Sequence, residues 1–135
     1  MSRHVYTAVL VTLAALLAGC SSNEPSAPGD VSTLSGDVQP IFDSRCASQQ
    51  CHGAEEDADL RLTSGDSHGE LVNVPSIQVP SLMRVLPSEP DSSYLVLKIG
   101  DSPPQGNRMP IGQAPLTTTD VSTIRSWIDN GALDN

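Results

Sequence analysis

The stretch CASQQCHG, residues 46–53, holds Cys46, Cys51 and His52 within eight positions, and two readings of it compete. In the first, Cys46 and Cys51 close a small disulfide loop and His52 is an incidental surface residue. In the second, the run is a covalent haem clamp. Two thiols add to the two vinyl groups on one porphyrin edge, and the histidine directly after the second cysteine reaches the iron. Cys51-His52 has the adjacency that this chemistry needs. The spacing departs from the usual attachment motif, because Ala47, Ser48, Gln49 and Gln50 stand between the cysteines where two residues are normal. The vinyl groups fix where the sulfurs sit, so the additional residues must loop outward, and all four are small or polar enough to do so. A structural zinc site is a poorer third reading, since two Cys and one His fall short of the usual four ligands.

Which chemistry the thiols meet depends on compartment. Arg3 and His4 precede the apolar run VYTAVLVTLAALLAG, residues 5–19, which is short for a membrane span and reads as a secretory signal. It ends in Leu17-Ala18-Gly19-Cys20, a pattern that resembles the lipobox of bacterial lipoproteins, with Cys20 the lipidated new N-terminus. The alternative is an ordinary signal cleaved nearby, with Cys20 a passenger. Residues 20–35 are rich in Ser, Pro and Gly, the composition of a flexible tether, and the folded domain is expected over 36–135. The expected location is the cell envelope, on a bacterial membrane and facing the periplasm or the exterior. There two thiols either pair or are used covalently.

Charge narrows the partners. The whole chain carries a formal charge of −9, and losing residues 1–19 removes Arg3 and no acidic residue. Such a surface repels nucleic acid and anionic headgroups and favours a partner with a basic docking face, with the membrane reached only through the lipid. Aromatics are scarce, with a single Trp and a single Phe. A domain this small buries little of its own surface, so a disulfide, metal or large apolar cofactor would be expected to complete its core.

Along the domain, Val38, Ile41 and Phe42 recur at helical spacing, and Pro40 falls in a first turn, where it is tolerated. A short helix is therefore expected to lead into Cys46. Residues 54–70 read mostly as loop. Pro75 and Pro80 break the apolar run 71–86 into extended pieces. A helix of two to three turns is expected after Asp91 as N-cap, ending at Gly100. Residues 101–115 hold too many prolines and glycines for regular structure. The clearest element follows: Thr117 as N-cap, Asp120 in the first turn, Val121, Ile124 and Ile128 on one face with Trp127 beside them, Leu116 as a staple and Gly131 at the end.

A covalent haem calls for a second axial ligand downstream, and His68, Met83 and Met109 are the available side chains. Met109 lies in the Pro/Gly loop, where Pro110 biases it toward extended backbone and the prolines stiffen its surroundings. Met83 sits in the apolar run SLMRVL, where a core role is the simpler reading. His68 lies in a polar, Gly-flanked loop, where exposure is the default. An open or water-ligated iron is a further possibility.

The pattern DVQPIFDSRCASQQCHG (37–53), LRL (60–62), SYLVLKI (93–99), RMPIG (108–112) and LTTTDVSTIRSWIDNGA (116–132) resembles the small c-type cytochrome domains labelled planctomycete-type, relatives of class I cytochrome c. The resemblance implies a mostly α, cytochrome c-like fold of three to four short helices with long loops around one covalent haem c. It implies thioethers at Cys46 and Cys51, His52 as proximal and Met109 as distal iron ligand. Phe42, Leu60, Leu62, Leu97, Ile124 and Trp127 are candidates to line the porphyrin or to form plain core. The expected function is electron transfer by a lipid-anchored monohaem cytochrome. The chain shows no nucleophile with a matched base, so no enzymatic activity is expected. Two alternatives stand beside this: a haem-free binding lipoprotein stapled by Cys46 and Cys51, and a sensor or peroxidase-like protein with an open iron.

Overall fold

The computed structural model describes residues 31–54 and 57–135; the signal-like segment, Cys20 and most of the tether lie outside the described residues. Within them the fold is mostly α, with short helices α1 (Gln39–Arg45), α2 (Ser67–Leu71), α3 (Tyr94–Ile99) and α4 (Thr118–Asp129) joined by long loops. Among the described residues there is no β-strand. Two isolated bridges, Val72 with Val85 and Pro75 with Met83, hold the proline-broken run 71–86 in extended pieces, as its sequence predicts.

Helix α4 forms for the reasons its sequence states. Thr117 Oγ1 accepts from the Asp120 N–H, and the Asp120 carboxylate accepts from the Thr117 N–H, each at 3.1 Å, so two otherwise orphaned donors are satisfied reciprocally. Ile124, Trp127 and Ile128 are buried, and Leu116 before the cap is buried in the same core. Gly131 follows the helix with φ of +96°, a left-handed conformation that glycine adopts at little cost.

Helix α1 carries Pro40 in its first turn and buries Phe42. A π-helical turn, Leu34–Val38, precedes it, capped by Thr33 Oγ1, which accepts from the Gly36 N–H. Leu34 is buried in the core, and the Ser35 N–H donates to the Asn135 carbonyl at 2.7 Å. The start of the domain is thereby tied to the chain's last residue, beside α4.

Two elements differ from expectation. Asp91 does not cap α3. It lies in a 3₁₀ turn, Pro90–Ser92, and the extended Ser93 (ψ 122°) separates that turn from the helix. The Asp91 carboxylate instead accepts from Arg125 on α4 at 2.6 Å. Helix α2 stands in a segment that reads as loop, because its Ser, His, Gly and Glu carry no apolar period; its one large apolar residue, Leu71, is 1% exposed and anchors it. Gly100 ends α3 and residues 101–115 hold no regular element, both as the sequence predicts.

Candidate functional site

The four residues between the cysteines fold back on the motif itself. The Ser48 carbonyl accepts from the N–H groups of both Cys51 and Gly53, and the His52 N–H donates to the Cys46 carbonyl at 3.1 Å. Ser48, Gln49 and Gln50 face solvent, so these residues do loop outward. Gly53 is buried in the turn this makes. A Cβ there would stand 2.6 Å from the Ser48 carbonyl oxygen and 2.8 Å from that of Ala47, so the glycine is dictated by close backbone approach rather than by φ.

A cleft with an empty volume of about 860 Å³, counting its solvent-filled mouth, opens beside this turn. Cys46, His52 and Met109, which the chain carries on the end of α1, the following turn and the Pro/Gly loop, all border it. Most of its wall is apolar, built by Leu60, Leu62, Leu71, Leu95 and Ile99. Cys51 is half-buried, and the cleft wall includes Cys46 but not Cys51. Neither cysteine is in a disulfide. Burial pushes the Cys46 thiol up to about 11, outweighing the neighbouring Arg45 charge, so it is protonated at neutral pH.

His52 is oriented by the backbone. Its Nδ1 lies 3.2 Å from the Leu60 carbonyl oxygen, which can only accept, so Nδ1 carries the proton and the lone pair of the neutral ring is on Nε2. Metal-ligating histidines characteristically make such a bond through the ring nitrogen that does not face the metal. The Leu62 N–H donates to the His52 carbonyl at 2.7 Å, so the LRL segment lies along the motif and presents Leu60 and Leu62 to the cleft.

The Met109 loop is braced at both ends. The Met109 N–H donates to the Lys98 carbonyl at 2.8 Å, and Lys98 Nζ donates to the Gln105 carbonyl at 2.8 Å. Arg45 Nη2, next to Cys46, donates to the Ala114 carbonyl at 2.7 Å. Met109 is held in this way against the core.

The other expected residues lie elsewhere. His68 Nε2 is 3.0 Å from the Ala132 carbonyl oxygen, away from the cleft. Met83 pairs with Pro75 and does not border the cleft, in keeping with a structural role. Phe42, Ile124 and Trp127 are core, Leu97 is half-buried off the cleft, and only Leu60 and Leu62 of the six candidate lining residues reach it. Among the described residues no group of three His, Cys, Asp or Glu side chains could hold a metal, which leaves the zinc alternative without a ligand set there.

Sequence reasoning missed the polar part of the wall, Arg84, Tyr94 and Lys98. Arg84 and Lys98 are 7% and 9% exposed, and burial draws the Lys98 ammonium below its ordinary range. The signal was there: each is a lone cation within an apolar run, SLMRVL and YLVLKI, where a charge must find partners if the run is buried.

No family model matches the chain, and no curated protein matches it. Among solved structures the chain is similar to hydrazine synthase of Kuenenia stuttgartiensis, at 24% identity over 74% of this chain and 16% of that one, with a TM-score of 0.45. The chain thus spans a small part of that protein's length, and a likeness at this level carries no argument about activity.

Proposed function

We propose that the protein is an electron-carrying monohaem c-type cytochrome with His52 and Met109 as axial iron ligands and Cys46 and Cys51 as the thioether donors. The observation that carries this reading is the convergence of Cys46 and His52, from the 46–53 stretch, and Met109, from the 101–115 loop, on one largely apolar cleft, with His52 Nδ1 turned to a backbone carbonyl. When bound, haem c supplies an iron that cycles by one electron, and a methionine ligand raises its potential. The chain's own residues do the rest. His52 presents Nε2 in a fixed tautomer, the braced 101–115 loop offers the Met109 thioether, and the leucine wall excludes water.

The same reading takes Cys20 as the lipid anchor at the cell envelope, and the acidic surface as the face that meets a basic redox partner. A docking interaction of that kind steers encounter and weakens as salt is added. The ligand assignment has a direct test. In protein made with cytochrome maturation genes, Met109→Ala abolishes the weak absorption at the red end of the visible spectrum that marks methionine–iron ligation, and Met83→Ala leaves it. The reverse outcome overturns the assignment.

A further inference from the structure

Ala58 and Asp59 are consecutive non-glycine residues in the left-handed region, with φ of +59° and +49°. Such strain persists only where the surroundings over-determine it. Among the described residues, one side chain grips both carbonyls of the turn. Arg84 Nη2 donates to the Asp59 carbonyl at 2.7 Å and, more weakly, to the Ala58 carbonyl at 3.4 Å. Its other terminal nitrogen is fixed by the Glu70 carbonyl at 2.8 Å and the Glu70 carboxylate at 3.1 Å, both contributed by α2. The residue after this strained pair is Leu60, whose carbonyl oxygen lies 3.2 Å from His52 Nδ1.

We propose that Arg84 is a positioning residue for His52: by clamping the left-handed Ala58–Asp59 turn to Glu70, it aims the Leu60 carbonyl at the histidine and so sets the ring's orientation and electron donation. The inference rests on the haem reading for its consequence at iron, whereas the clamp itself concerns only this chain. A guanidinium suits the task because its planar fork holds two sets of acceptors at once. A lysine keeps the charge but offers a single point of attachment. A hydrogen bond from the far nitrogen raises a histidine's basicity as a ligand, which favours the oxidised iron. Loss of the clamp therefore raises the reduction potential. Loss of a buried positive charge near the iron acts in the opposite direction, since a nearby cation favours the reduced state. The sign of the shift separates the two roles.

The test compares the potential of the haem-loaded full chain with that of Arg84→Lys and Glu70→Gln, haem content and the methionine–iron band being read alongside. The proposal expects Arg84→Lys, which keeps the charge, to raise the potential with haem and band retained; Glu70→Gln raises it too, in part through the lost carboxylate, so its decisive readout is the His52 tautomer. An unchanged or lowered potential in Arg84→Lys overturns it. Where Arg84→Lys does not fold, ¹⁵N NMR of the His52 ring in the haem-free wild type and Glu70→Gln decides, because it reads the tautomer and not the charge. If the wild-type chain takes up no haem, the cytochrome reading fails on that count alone. The clamp is then read by ¹⁵N NMR of the His52 ring in the haem-free chain: the wild type shows the Nδ1–H tautomer and Glu70→Gln a mixture, while identical tautomers in both overturn the clamp.

Discussion

At the scale of single residues, the motif's last glycine is fixed by close backbone approach. With carbonyl oxygens 2.6 and 2.8 Å from an added Cβ, Gly53→Ala forces the 47–48 backbone away from the turn. The expected cost is about 1–3 kcal/mol, the usual range for overpacking a filled site. It is to be measured by chemical denaturation, and haem incorporation should fall with it; an unchanged midpoint would mean the turn yields freely. That Cys46, His52 and Met109 belong together was an expectation legible in the sequence, because adjacency of Cys and His and a Met-Pro in a stiff loop are chemical patterns, and the three side chains border one cleft. Arg84 was not legible in this way. Its role depends on meeting Asp59 from 25 residues away, a contact that no local pattern encodes.

At the scale of elements, α4 was the most legible because cap, apolar period and terminating glycine all agree. Thr117→Ala removes one half of the capping box and should cost about 1 kcal/mol, within a range of roughly 0.5–2, read as a lowered unfolding midpoint. A Thr117→Ser variant, which keeps the hydroxyl, should stay close to wild type. Trp127→Ala on the buried face of the same helix should cost more, about 3–5 kcal/mol, because it empties the largest core site. Helix α2 and the π-helical turn at Leu34–Val38 were illegible for a shared reason. Each is stabilised by tertiary anchoring, through Leu71 in one and through Leu34 with the Asn135 contacts in the other, and not by an apolar repeat within its own few residues. Asp91 was misread for a related reason: the 3₁₀ turn Pro90–Ser92 carries it away from the start of α3, and its exposed carboxylate meets Arg125 once α4 packs beside it.

At the scale of the whole molecule, a chain with one Trp and one Phe folds around a leucine-walled cleft bordered by Cys46, His52 and Met109. The core on one side of that cleft, built from α1, α4 and the π-helical turn, is supplied by the chain itself. The cleft wall is the surface that a porphyrin would complete. One measurement bears on this most directly: the pyridine haemochrome spectrum and intact mass of the full chain produced with cytochrome maturation genes. The account predicts one covalently held porphyrin per chain. A chain with no haemochrome signal, a mass lacking the porphyrin and Cys46 joined to Cys51 would contradict it.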